Sequence, residues 1–199
     1  MLQSLSSRGW EIGSHTRTHP NLTELSDSQI NAELQDSNER LEAITHTKVT
    51  SLSYPFNAQN NRTKAIAAMY YKFVRVNRAC PPLRVNSVLP RDKMEVNAVS
   101  TYDDPIVLPL HLLISLAKRI GYRPRGITKP RSGKGLEARI VRKWLRSLRK
   151  DQWLVLTFHN IHTDKSPNPQ SIDLKAFREI VKVTDQLAEV VNFGMAVRT

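Results

Sequence analysis

The sequence predicts an α/β fold with a largely parallel sheet, and three observations carry that prediction. Strand-like and helix-like patterns alternate along the whole chain. The continuous apolar run Trp153 to Phe158 has the mark of a strand buried on both faces. Two predicted strands deliver a histidine at their C-terminal ends, His15 and His159, the edge where α/β folds carry their sites. A chain of 199 residues, 40% hydrophobic and 24% charged, is long enough for one domain with a sizeable core and is not of disordered composition.

The elements follow in order. Trp10 to Ser14 predicts a short strand arriving from Leu5, with Gly9 as a turn, and Pro20 keeps His19 out of the α region. Ser26 and Gln29 have capping-box spacing. Ile30, Leu34, Leu41 and Ile44 then give an amphipathic helix of about four turns. Val49 to Tyr54 predicts a strand that Pro55-Phe56-Asn57 ends. Thr63 to Tyr71 predicts a helix and Phe73 to Val76 a strand. Cys80 to Lys93 is loop-like, Val96 to Ser100 a short strand, and Leu108 to Ile120 an apolar helix. A Gly- and Pro-rich loop over 121–135 leads to a helix whose apolar face is Leu136, Ile140, Val141, Trp144, Leu145 and Leu148. After the Trp153 to Phe158 strand, a helix runs from Leu174 to Val190, and a strand is predicted near Met195 to Val197.

Charge is unevenly spread. The 33 residues from Lys118 to Lys150 hold 13 basic side chains and one acid, which equals the net charge of +12, and the remainder is balanced. The excess therefore describes one segment and does not establish a general nucleic-acid surface. A single cysteine, Cys80, excludes an internal disulfide and a multi-cysteine zinc site. No run of 18 apolar residues is present, so a membrane-spanning helix is excluded.

His15 and His19 are four apart after a strand, a spacing that on a tight turn can aim two imidazoles at one metal ion. The stretch Gly9-Trp10-Glu11-Ile12-Gly13-Ser14-His15-Thr16-Arg17-Thr18-His19-Pro20-Asn21-Leu22 resembles the second motif of the polysaccharide deacetylase family (the NodB homology domain). Leu52-Ser53-Tyr54-Pro55-Phe56 resembles its third motif, and Trp153 to Ile161, with His159, is similar to its last. The three fall in the family's order between residues 9 and 161, with no clear counterpart from about 80 to 140.

The resemblance implies a distorted (β/α) barrel with its site at the C-terminal strand ends. It implies a divalent metal, zinc the expected ion, held by an Asp with His15 and His19. His159 would protonate the leaving amine, and Tyr54, Pro55 and Phe56 would form the oxyanion and substrate-binding turn. The substrate class would be N-acetylated carbohydrate polymers or conjugates, hydrolysed to free amine and acetate. In the family a T-F-D-D motif ahead of these carries the metal Asp and the base Asp, and Met1 stands only nine residues before the strand. The expectation is therefore a single partial domain over 1–199, an incomplete barrel lacking its first strands, with a basic loop and helix inserted at about 118–150. Such a truncated form is expected to be impaired.

Several residues carry competing readings. Thr101-Tyr102-Asp103-Asp104 mimics T-F-D-D and could supply Asp103 and Asp104, but a turn closed by Pro105 is the favoured reading. The third motif often carries an arginine where Ser53 stands here, a role Arg75 could have taken. His46, His111 and His162 read as structural or solvated, and Trp10, Trp144 and Trp153 as packing residues. The rival function is binding without catalysis. In it the basic segment docks an acidic polymer, an anionic membrane surface or nucleic acid, with Arg139, Arg142, Arg146 and Arg149 central. The compartment is expected to be extracellular or cell-envelope if a longer form carries a signal, and cytoplasmic for the sequence as given.

Overall fold

The computed structural model describes residues 1–77, 86–87, 95–100, 138–149, 152–163 and 171–196. The chain divides into two compact units. One comprises Met1–Asn77, Val88–Asn97 and Val191–Thr199; the other comprises Arg78–Ser87 and Ala98–Val190. Both mix helices with short strands.

The first unit opens on a short helix α1 (Leu2–Ser6). Gly9 at φ +86 turns the chain after it, a conformation that costs glycine nothing. The predicted strand Trp10 to Ser14 does not form. The Trp10 N–H returns to the Leu5 carbonyl at 3.2 Å, and Trp10 itself is 66% exposed. Only Ser14 pairs, as an isolated parallel bridge to Leu52, donating to Ser51 O at 2.8 Å and accepting from Ser53 N–H at 2.9 Å. Gly13 is required just before the bridge, because a Cβ there would lie 2.6 Å from Ser51 Oγ and 3.2 Å from its carbonyl oxygen.

Helix α2 (Asp27–Thr45) starts where its sequence says, with both halves of the Ser26/Gln29 capping box formed. It runs to Thr45, longer than the four turns expected, and ends when His46 adopts φ 55 in the left-handed region. Glu42 then accepts from Lys48 Nζ at 2.8 Å and Val49 N–H at 3.0 Å, directing the chain into β1 (Ser51–Ser53). Those two bonds hold the Glu42 carboxyl below its ordinary range, the Lys48 bond contributing most. Helix α3 (Asn61–Ala67) starts on a second capping box, Asn60/Thr63. Arg62 fastens it to the start of α2 through Asp27 at 2.8 Å and the Leu25 carbonyl at 2.7 Å. Strand β2 (Phe73–Asn77) then pairs in parallel with β1, setting Leu52 opposite Val74 and Ser53 opposite Arg75.

Leu22, Ile30, Leu34, Val49, Leu52, Tyr54, Ile66, Ala67, Tyr71, Val74 and Val76 form the core of this unit, each at most 7% exposed. The apolar stripe of α2 supplies two of them, and the alternation of β2 points Val74 and Val76 inward. At the C-terminus the predicted strand is a helical turn, α6 (Phe193–Ala196). Asn192 caps it by accepting the Met195 N–H at 2.9 Å, and Phe193 meets Phe73 at a ring separation of 6.2 Å.

In the second unit, β3 (Asn86–Ser87) pairs antiparallel with β5 (Gln152–Trp153). The end of β4 (Glu95–Ser100) pairs in parallel with β6 (Leu156–Thr157). The single strand expected from Trp153 to Phe158 is therefore two, because the run changes partner between them. It is half-buried rather than buried on both faces. A further pair, β7 (Asn160–His162) and β8 (Ser171–Asp173), runs in parallel. Helices α4 (Ala138–Ser147) and α5 (Leu174–Leu187) pack Val141 against Ile172 and Ile180, with Trp144, Leu156, Phe158 and Phe177 around them. Asp173 caps α5, accepting from Lys175 N–H at 2.8 Å. The predicted helix Leu108 to Ile120, the loop 121–135, His111, Cys80 and the Asp103–Asp104 pair lie outside the described residues. No described helix is long and apolar enough to cross a membrane.

Candidate metal centre

The histidine loop hangs from the Ser14 bridge. Ser14 is buried, and its hydroxyl meets Ser37 Oγ of α2 at 2.8 Å. The four backbone N–H groups from Thr16 to His19 are all accounted for. Thr16 N–H donates to Ser14 Oγ at 3.2 Å, Arg17 and Thr18 N–H both donate to Glu33 Oε2 at 2.9 Å, and His19 N–H donates to Thr16 Oγ1 at 3.1 Å. Within this turn Thr16 (φ 66) and His19 (φ 62) are left-handed. A β-branched residue there is a true outlier, and such strain persists only where the surroundings over-determine it.

The turn brings the two imidazoles together, with ring centroids 4.7 Å apart at an interplanar angle of 78°. His15 Nδ1 lies 2.6 Å from the carbonyl oxygen of Ser53. A carbonyl only accepts, so the neutral ring carries its proton on Nδ1 and keeps its lone pair on Nε2. Metal-binding imidazoles are commonly fixed in this way by a carbonyl on the other nitrogen. Both histidines are exposed.

Beyond β1, the 3₁₀ turn Pro55–Asn57 contributes the other wall. Phe56 and Asn57 both have φ 55, and the Phe56 ring, 71% exposed, stands edge-on to His19 with centroids 4.7 Å apart. Tyr54 differs from its neighbour: its side chain is 1% exposed in the core, so only its backbone can face a ligand. Pro55 is buried as well and sets the start of the turn. Arg75, opposite Ser53 across the strand pair, donates from Nε to Ser53 Oγ at 3.0 Å and from its terminal nitrogen to the same oxygen. Ser53 thus receives His15 on its carbonyl and Arg75 on its hydroxyl.

Two imidazoles of fixed geometry suit zinc and similar ions as half of a donor set. Among the described residues no cluster of three His, Cys, Asp or Glu side chains completes it. His159 belongs to the second unit, where it follows β6 and is exposed. The structure thus assembles His15, His19 and Phe56 within one unit.

Residues 1–74 match the family model described as polysaccharide deacetylase. That segment spans α1 to the first residues of β2 and includes the whole histidine turn and the Phe56 turn. The likeness to that family is confined to residues 1–74. Solved structures similar to the chain include a polysaccharide deacetylase from Bacillus cereus, at 24% identity over 49% of this chain and 30% of that chain, with a TM-score of 0.42. The Xyl-CE4 domain of a multidomain xylanase from the hindgut metagenome of Trinervitermes trinervoides is 12% identical over 98% of this chain and 67% of that chain, with a TM-score of 0.50. A CE4 family pseudoenzyme from Bacillus anthracis is 16% identical over 98% of this chain and 49% of that chain, with a TM-score of 0.48. The xylanase-domain likeness is one of fold alone, mixed α/β. The chain spans 30% of the length of the Bacillus cereus protein. No curated protein matches it.

Sequence reasoning missed the supports of the histidine turn: Glu33, Ser37 and the Ser53 carbonyl. Glu33 reads in sequence as one more charge on the polar side of α2, and only the return of the loop onto that helix gives it a task. The basic segment receives no comparable support. Residues 118–137 lie outside the described residues. On α4, Arg139, Lys143 and Arg146 are exposed opposite the buried Val141, an arrangement that a solvated helix face explains.

Proposed function

We propose that the chain carries the histidine half of a metal-dependent deacetylase centre acting on N-acetylated carbohydrate polymers or conjugates. The observation that carries this reading is the paired His15 and His19. They sit on a doubly left-handed turn, with His15 tautomer-locked by Ser53. In this proposal His15 offers Nε2 and His19 one ring nitrogen to a divalent cation, zinc being the expected ion. When bound, that cation supplies Lewis-acid polarisation of the acetamide carbonyl.

The chain's own residues do the rest. The Ser53 carbonyl keeps the His15 proton on Nδ1, away from the ligand side. The Phe56 turn lies against the histidine pair, where the Phe56 N–H would stabilise a developing oxyanion and the exposed ring would border the sugar. His159 is the proposed proton donor to the departing amine nitrogen, so that water and acetamide become acetate and free amine.

Among the described residues, no His, Cys, Asp or Glu side chain joins the two histidines in a group of three that could hold a metal ion. We propose that turnover by this chain is impaired, so that binding of the ion outlasts it. The experiment is cobalt(II) titration by visible absorption beside acetate release from N-acetylglucosamine oligomers. Expected are saturable cobalt binding lost in both His15→Ala and His19→Ala, and acetate release close to background. Brisk turnover lost on His15→Ala would overturn the impairment, and absence of cobalt binding by the parent chain would overturn the ligand pair.

A further inference from the structure

The loop from His15 to His19 has no regular hydrogen-bonding partner of its own, yet it holds two non-glycine residues in the left-handed region. Something outside the loop must offset that cost. Its main external anchor is one carboxylate. Glu33, half-buried on α2, takes the successive N–H groups of Arg17 and Thr18 on Oε2, both at 2.9 Å, and the Thr18 hydroxyl on Oε1 at 2.6 Å. Successive N–H groups converging beside a left-handed residue form a concave anion seat, and here the anion is supplied by the chain itself. Asp36, one turn further along α2, pairs only with the Arg17 guanidinium. That contact leaves the backbone free to move.

We propose that Glu33 is a positioning residue, holding the turn that brings His15 and His19 within one coordination sphere. It touches neither imidazole. It acts through the two peptide units between them, so its loss lets Thr16 and His19 relax out of the left-handed region and the rings part. The proposal rests on the reading of His15 and His19 as a ligand pair, but its first readout does not depend on any metal.

The experiment compares the full 199-residue chain with its Glu33→Ala, Glu33→Gln and Asp36→Ala variants. Without metal, NMR reads the His15–His19 ring NOEs and the His15 tautomer from ring nitrogen shifts; a cobalt(II) titration then reads affinity. For Glu33→Ala the expected result is loss of the inter-ring NOEs and cobalt affinity weakened at least about tenfold, the effect usual for a residue supporting a ligand. Glu33→Gln is expected to recover much of both, since an amide oxygen can accept the same two N–H bonds. Asp36→Ala should stay within about twofold of the parent, because the anion seat is intact. Core chemical shifts should be unchanged in all three. Glu33→Ala with parental NOEs and parental affinity overturns the proposal. If the parent chain itself binds no cobalt, the ligand reading fails, and the NOEs alone still decide the role of Glu33.

Discussion

The segments after Ser14 and after Thr157 each carry a histidine just beyond a parallel backbone pairing, but they are built by different means. After Ser14 the backbone leaves its single bridge and every N–H from Thr16 to His19 finds a side-chain acceptor, three of the four acceptor positions lying on Ser14 or Glu33. After Thr157 the chain passes His159 and enters another strand, β7, at once, with its geometry set by backbone pairing to Ser171–Asp173. The first is specified by side chains and tolerates strain. The second is specified by the ladder, in residues that are exposed or half-buried.

The largest test of that contrast is in the strands themselves. Leu52 is 1% exposed, pairs with Val74 and bridges Ser14, so Leu52→Ala leaves a cavity directly beneath the histidine turn. It is expected to cost roughly 3 kcal/mol in urea unfolding, within the usual range for a buried leucine. Leu156→Ala removes a half-buried side chain from the second unit and is expected to cost roughly 1 kcal/mol. Equal losses would erase the distinction between a side-chain-determined and a ladder-determined end.

This difference also explains what the sequence could reveal. The start of α2 was legible because Ser26 and Gln29 state it locally, and the stripe Ile30, Leu34 states which face is buried. The histidine pair and the Pro55-Phe56-Asn57 turn were legible because residue type and spacing carry the chemistry. Strand extents were not legible, because they depend on partners distant in sequence. Trp10 to Gly13 has strand composition but sends its first N–H back to Leu5, and the Trp153 to Phe158 run divides between two partners. The turn Phe193–Ala196 was hidden for the opposite reason. Its cap, Asn192, is local, but a short apolar stretch near the C-terminus fits strand composition equally well.

A second test titrates the core of the first unit. The Tyr71 hydroxyl is buried beside the Leu34 carbonyl of α2, and burial pushes it up to about 12 from its usual 10.0, against opposing hydrogen bonds from Ser14 and Asn38. The folded chain therefore keeps its phenol proton where the unfolded chain releases it. The contribution is complete below pH 10 and declines as pH rises towards about 12, by roughly 3 kcal/mol in all. Urea midpoints should fall over that interval and much less so in Tyr71→Phe, which has no proton to lose. A Tyr71→Phe curve parallel to the parent's would remove the link between the phenol and stability.

The smallest effect separates strain at the proposed ligand pair from strain that only ends a helix. His46 and His19 share the left-handed conformation, at φ 55 and φ 62. His46 closes α2, its N–H donating to the Glu42 carbonyl at 2.8 Å, and its exposed ring has no part in the histidine pair. Glycine adopts that conformation without a Cβ penalty, so His46→Gly is expected to raise stability by about 0.5–1 kcal/mol and leave cobalt affinity unchanged. His19→Gly relieves the same backbone strain and should gain no more than a similar amount, but it removes one of the paired imidazoles and with it cobalt binding. Stability and affinity should therefore move independently at one histidine and in opposite directions at the other, by thermal melts and cobalt titration of the two variants. If His46→Gly also weakened cobalt binding, the C-terminus of α2 would belong to the metal centre, and strain at its end could no longer be assigned to helix termination alone.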